Sequence, residues 1–347
     1  MTSTNTPTPP NSIINSINAK YNKSVDLLVR DRNSKAASIL NSRINSFSKR
    51  NDMQMLDKNF RSSLSVLNDI RAKSIVSYKT NYKALVVGCN YKNTPYELTG
   101  CVKDADSVKS FLVSKGVKEQ NVFVLTDDSN IQPTRDNIIQ AFIDLLDRSV
   151  SGETLIFSYS GHGSLINTTN FQKPSITTHE DNVLVSLDLR PIIDNDFNAI
   201  IKTRLKKDVT LFALFDCCHS RTMFDLQYNY DISSNDYLGA TTMPAEEDLS
   251  QPVYISDADS VGDTSGQVFF ISGCLDDQTS AEASIEGITQ GAMTWAYLTT
   301  MKKYKQMSWK KLIYRMQKIL KGSDFTQIPQ FSTGIKCDLN STCLYSL

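Results

Sequence analysis

Met53, Leu56, Phe60, Leu64, Leu67 and Ile70 step along the chain by three or four residues. That spacing places them on one helical face. They lie in a stretch without breakers: no Pro occurs between Pro10 and Pro95, and the first Gly of the chain is Gly88. Such a segment is most easily helical. The pattern predicts two or three amphipathic helices over residues 14–79, either packed against the next domain or serving as a regulatory prosegment. The Thr/Pro/Asn/Ser-rich start, residues 1–13, has the composition of a disordered tail.

From Tyr82 the period changes. Short apolar runs alternate with amphipathic ones: KALVVGCNY, then TGCVKDADSVKSFLVSKG; NVFVLTDD, then PTRDNIIQAFIDLLDRSV. In the last of these, Thr134 fits a helix N-cap, with Ile138, Phe142 and Leu145 facing inward. ETLIFSYSGHG, NVLVSLD, DVTLFALFDCCHS and QVFFISGC read as further strands. GAMTWAYLTTMKKY and SWKKLIYRMQKILKG read as helices before a last strand near QFSTG. Alternating elements of these lengths predict an α/β domain over residues 80–347, a mostly parallel sheet flanked by helices on both faces. Residues 226–265 are polar, acidic and aperiodic, and predict a long mobile loop.

Composition narrows the function. Apolar content of 40% and charged content of 21% fit an ordinary globular protein. The formal net charge is zero, so nothing global points to nucleic acid or a membrane surface. The seven cysteines are odd in number and irregularly spaced, which fits a reducing compartment better than a disulfide framework. The N-terminus has neither the basic nor the apolar region of a signal peptide. These features predict a cytoplasmic protein.

The chemistry collects at strand ends. There are only three histidines: His162, His179 and His219. His162 follows LIFSY between two glycines, whose backbone freedom suits a sharp turn with an exposed ring. Cys217 and Cys218 follow FALFD. If the two strands are parallel neighbours, an imidazole meets a thiol at one rim. A free thiol with a pKa of about 8.5 is only slightly ionised at neutral pH, and a nearby imidazole can lower that value or take the proton. The spacing of about 50 residues from His to Cys suits a caspase-type arrangement. Zinc binding by Cys-Cys-His is the competing reading. Adjacent residues seldom converge on one ion, and the chain has no Cys-x-x-Cys partner.

These residues resemble the metacaspases, a family of caspase-like cysteine peptidases. FSYSGHG is similar to the family's histidine motif and FDCCHS to its cysteine motif, with ISGCLDDQTSAEA, GAMTWA, PTRDNI and LTGCVKDA similar to further blocks in order. The resemblance covers about residues 80–347 and implies a caspase-like fold. It implies His162 as general base and acid and Cys218 as nucleophile, because the family's catalytic thiol directly precedes the His of Cys-His-Ser. The oxyanion would be held by backbone N–H groups of Gly163 and Cys218.

A cationic substrate side chain at the position before the cut needs a carboxylate in its pocket. Asp216 precedes the thiols, and Asp104 follows Cys101 by three residues at a helix start. The resemblance implies that Cys101, Asp104, Ser160 and Asp216 line such a pocket, for cleavage of protein or peptide substrates after Arg or Lys. Asp181, Asp194 and Asp225 offer hard oxygen ligands on loops, which suit calcium. The resemblance implies Asp181, Asp194, Asn195 and Asp225 as the ligands of an activating Ca2+. Asn195 departs from the carboxylate usual there, and Arg221 departs from the Gly usual after Cys-His-Ser.

From Thr222 to Met301 there is no Lys or Arg. An Arg/Lys-specific enzyme could not cut itself there, so an uncut, monomeric catalytic chain is expected. The extension, with Lys20, Arg30, Arg32 and other basic residues, offers sites for autoprocessing. The family is linked to programmed cell death, stress and protein quality control. The alternative is a catalytically weak pseudoenzyme acting as a scaffold, with Arg221 disturbing the site.

Overall fold

Residues 17–71 show no buried side chain, as a pair of helices with one contact seam would. The computed structural model describes residues 10–79, 82–170, 177–218, 223–232, 253–255, 264–273, 282–285, 288–304, 307–341 and 343. The chain divides into two compact units, one spanning Thr8–Asn81 and the other running from Tyr82 onward. The first is a hairpin of α1 (Pro10–Asn41) and α2 (Ser46–Lys79). Its first helix thus begins inside the stretch expected to be a disordered tail. Met53, Leu56, Phe60, Leu64 and Leu67 are half-buried on the seam, but Ile70 is exposed. Arg71 takes the inward place instead, donating from Nε to Asn18 Oδ1 at 2.9 Å, with its guanidinium over the Tyr21 ring. Arg32 pairs with Asp57 through Nε at 3.0 Å and a second nitrogen at 2.6 Å, which fixes the antiparallel register.

The second unit is built on β1 (Tyr82–Gly88), α3 (Cys101–Ser114), β2 (Val122–Thr126), α4 (Arg135–Asp147) and β3 (Thr154–Ser160). It continues through β4 (Gly163–Asn170), β5 (Thr177–Val185), β6 (Pro191–Ile193), α5 (Asp194–Arg204) and β7 (Thr210–Asp216). After these come β8 (Tyr228–Asp231), β9 (Val253–Ile255), β10 (Gln267–Ser272), β11 (Glu282–Ile285) and β12 (Ile288–Gly291). α6 (Ala292–Lys303), α7 (Trp309–Gly322) and β13 (Gln330–Thr333) end the described elements. The main sheet has the order β2-β1-β3-β7-β10-β13-β8-β9. Its first five strands are parallel, and β13, β8 and β9 add antiparallel.

β3 and β7 are buried at every position, the signature of parallel strands covered on both faces. On one face Phe142 of α4 and Phe197 of α5 meet Phe157, Phe215, Phe224 and Phe270 in a single apolar cluster. On the other, Phe111 of α3, Tyr297 of α6 and Trp309 of α7 pack with Phe212 and Phe269. Thr134 caps α4, its side chain accepting from the Asn137 N–H, and Ile138, Phe142 and Leu145 are buried as their spacing predicts.

Two expectations are corrected. NVLVSLD does not join the parallel sheet; it ends β5 of a separate antiparallel sheet, β4-β5-β6. The segment 226–265 is not all loop, because β8 and β9 extend the main sheet beyond β13. Strands of three or four residues show no period, and their identity comes from the neighbour that completes their hydrogen bonds. Residues 233–252 and 256–263 of that segment lie outside the described residues.

Candidate active site

Parallel register sets the geometry. Ser160 and Asp216, the last residues of β3 and β7, are directly paired, and the Gly161 N–H reaches Asp216 O at 3.4 Å. The His162 turn and the Cys217-Cys218 turn therefore leave the sheet at the same rim, beyond the carboxyl ends of the strands, where open α/β sheets bind ligands. Gly163 touches the second turn: a Cβ there would overlap the Cys218 carbonyl oxygen and lie 3.3 Å from Cys217 Sγ. Cys218 is half-buried and Cys217 buried, so Cys218 is the accessible thiol of the pair.

His162 is half-buried. Its Nε2 lies 2.8 Å from Tyr96 O. A carbonyl can only accept, so in this arrangement Nε2 carries the hydrogen and Nδ1 is the basic nitrogen. A cavity of about 380 Å³ opens here, lined by Tyr96, His162, Gly163, Ser164, Val185 and Leu189. A second cavity, about 400 Å³, lies away from this rim against β1, β2 and α4.

Cys101, Asp104, Ser160 and Asp216 are all buried. Ser160 Oγ donates to Asp104 Oδ2 at 2.6 Å. The N-terminus of α6 closes on the same carboxylates. The Gly291 N–H lies 3.0 Å from both Asp104 oxygens, and the Thr294 N–H donates to Asp216 Oδ2 at 2.8 Å. A Cβ at Gly291 would overlap Asp216 Oδ2 and lie 2.6 Å from Asp104 Oδ2. Two buried carboxylates thus converge on one point, held by N–H groups of a helix start that favour negative charge. Cys101 begins α3 one turn before Asp104, and its carbonyl abuts Gly88, where a Cβ would overlap it.

Asp194 opens α5 and is buried. Its Oδ1 accepts from the Asn195 N–H at 2.6 Å and its Oδ2 from the Asn182 N–H at 3.1 Å. Burial pushes its carboxyl up to about 7, and the charges of Asp225 and then Asp181 push the same way, against those two N–H groups. Asp225 adopts a left-handed backbone, φ 47°. The charges of Asp225 and Asp181 thus reach Asp194. Among the described residues no group of three acidic, imidazole or thiol side chains is already drawn together closely enough to hold an ion.

His179 lies on β5. His219 and Arg221 lie outside the described residues. The sequence reading missed Gly291 and Thr294, although both lie in GAMTWA; a Gly before an apolar helix was the available signal. It also missed Tyr96, and Tyr91 and Tyr159, which fall in runs read as strands.

Residues 82–227 match the family model described as metacaspase, peptidase C14 domain. The chain is 32% identical over 293 residues to Metacaspase-1 of Scheffersomyces stipitis, covering 74% of this chain and 72% of that protein. It is 30% identical over 275 residues to Metacaspase-2 of Trypanosoma brucei brucei, covering 75% of each. Its fold is similar to the crystal structure of a protein from Geobacter sulfurreducens, with a TM-score of 0.52 and 21% identity, over 75% of this chain and 97% of that one. The family model and these relatives define a cysteine peptidase whose substrates are proteins. The chain belongs to the metacaspase family. No helix among the described residues is long and apolar enough to cross a membrane.

Proposed function

We propose that this metacaspase is a calcium-stimulated endopeptidase that cleaves proteins after Arg or Lys through His162 and Cys218, as an uncut, monomeric, cytoplasmic chain. The observation that carries the reading is the convergence of Asp104 and Asp216 on Gly291, at the end of the strand that leads into Cys218. Two buried carboxylates beside a thiol suit a substrate whose side chain is a cation. The pair accepts from N–H groups and from the Ser160 hydroxyl.

The chemistry follows from the residues at the rim. Cys218 Sγ attacks the scissile carbonyl carbon, forming a C–S bond, while the thiol proton passes to Nδ1 of His162. The Gly163 and Cys218 N–H groups stabilise the oxyanion. The proton then moves to the amide nitrogen as the C–N bond breaks and the amine leaves. Water gives a proton to the same imidazole and attacks the thioester. The C–S bond breaks, releasing the acid and restoring the thiol.

Asp181, Asp194, Asn195 and Asp225 would hold calcium. Bound there, the ion supplies positive charge that offsets the crowded carboxylates around Asp194.

The test is hydrolysis of fluorogenic peptides ending in Arg, Lys or Asp, with calcium or chelator, beside Cys218→Ala. Calcium-dependent release after Arg or Lys, lost in the variant, is expected. Release after Asp would overturn the pocket assignment. No release from the folded chain, with its N-terminal extension removed, would favour a scaffold.

A further inference from the structure

Tyr91 is fully buried in the loop after β1, yet its φ is +53°. A bulky residue in the left-handed region is strained, and such strain persists where the surroundings over-determine it. The surroundings here are the backbone of His162. The His162 N–H donates to the Tyr91 hydroxyl at 2.9 Å. The hydroxyl of buried Tyr159 lies 3.0 Å from the His162 carbonyl, sharing its one hydrogen between that oxygen and Val185 O, and the Val185 N–H also reaches the His162 carbonyl at 3.0 Å. The two hydroxyls are 3.1 Å apart, and both reach Val185 O, at 2.5 Å from Tyr91 and 2.7 Å from Tyr159.

The two hydroxyls therefore grip both peptide groups of one residue. The Tyr91 ring also lies 4.8 Å from the His162 ring, tilted by 36°. The same loop carries Tyr96, whose carbonyl meets Nε2. Its backbone is pinned in turn: the Asn90 N–H donates to Asp127 Oδ1 at 2.7 Å, and the Val102 N–H to Asn90 Oδ1 at 3.0 Å. Gly161 is explained as well. A Cβ there would lie 2.6 Å from the Tyr159 hydroxyl and 2.8 Å from that of Tyr91. Burial pushes both phenols well above their ordinary range, so both keep their protons as donors.

We infer that Tyr91 and Tyr159 are positioning residues: their hydroxyls form a clamp that fixes the His162 backbone and so aims the imidazole at Cys218. This rests on the reading of His162 and Cys218 as the reacting pair. Neither phenol need touch substrate. A hydroxyl-deleting change keeps the ring and the packing but frees the histidine turn.

The experiment uses the full chain with Tyr91→Phe, Tyr159→Phe and His162→Ala. Two quantities are read on each folded variant: kcat and KM on an Arg peptide, and the rate of Cys218 alkylation by iodoacetamide against pH, located by peptide mass mapping. Either Phe variant is expected to lower kcat by roughly ten- to a hundredfold, as small misplacements of reacting groups do, with KM nearly unchanged. Its alkylation profile should shift toward that of His162→Ala.

A wild-type kcat and profile in both Phe variants would overturn the clamp. So would a loss of activity that merely follows the loss of folded protein while the profile stays in place. If Tyr91→Phe does not fold, Tyr159→Phe, which leaves the left-handed residue intact, decides by the same readings. If His162→Ala itself leaves the profile unmoved, the pairing with Cys218 fails and the clamp falls with it. A profile moved by His162→Ala alone sinks only the clamp.

Discussion

Ser160 and Asp216 are paired in parallel register at the ends of adjacent strands, and Ser160 Oγ donates to Asp104, whose carboxylate shares Gly291 with that of Asp216. One backbone pairing thus places the buried carboxylates and the turns of His162 and Cys218 together.

The first prediction concerns the carboxylates. Asp104→Asn or Asp216→Asn should cut kcat/KM for Arg and Lys peptides by about ten- to a hundredfold, the loss of about 1.5–3 kcal/mol typical of a hydrogen bond to a charged group. The Cys218 alkylation rate should stay near wild type. Equal losses on peptides ending in Arg and in a neutral residue would remove the specificity role.

Gly291→Ala forces a methyl into the space occupied by Asp216 Oδ2. Either the N-terminus of α6 or the carboxylate pair must move. The variant should melt cooperatively but lose at least about tenfold in kcat/KM on Arg peptides. Full activity in a steady-state assay would show that the pocket is not organised around this glycine.

Thiol reactivity separates the cysteines. Burial pushes Cys337 and Cys343 up to about 12, and pushes Cys89 higher still. Thiolates are the reactive form. In the native chain at pH 8, iodoacetamide should therefore modify Cys218 well before Cys89, Cys337 or Cys343, as read by peptide mass mapping. Comparable labelling of Cys343 would contradict the packing around it.

Calcium should raise the melting temperature. A ligand at a hundred times its Kd adds about 2.7 kcal/mol to the native state. Chelator should reverse the shift, and Asp225→Asn or Asp181→Asn should weaken it together with the stimulation of activity. A calcium response unchanged in both variants would move the ion elsewhere.

Phe215 couples core to site. It is fully buried, with ring centroids 5.0 Å from Phe157, 5.2 Å from Phe224 and 5.0 Å from Phe270, and it immediately precedes Asp216. Phe215→Ala should cost about 3–5 kcal/mol in urea unfolding. A cost below about 1 kcal/mol would mean that the cluster collapses around the gap.

Much of this was legible along the chain because it depends on local rules. The apolar runs of β3 and β7 exclude water on both faces wherever they are placed, so their burial could be read directly. Thr134 could be assigned as a cap because its bond closes within three residues. His162 and the Cys pair stood out because an imidazole between glycines and two adjacent thiols follow buried strands, although Cys217 itself packs in the core. β8 and β9 were not legible, since a three- or four-residue strand exists only through the edge it joins.

The clearest division is at the site itself. The chain by itself determined which groups are present: a flanked imidazole, paired thiols, carboxylates at two strand and helix ends, and no basic residue from Thr222 to Met301. Only the tertiary structure decided their partners. Gly291 is 187 residues from Asp104, and Tyr91 is 71 residues from His162. Contacts of that separation leave no period in the sequence. They arise because parallel strands stack their carboxyl ends at one rim, where loops distant along the chain must share the same small volume.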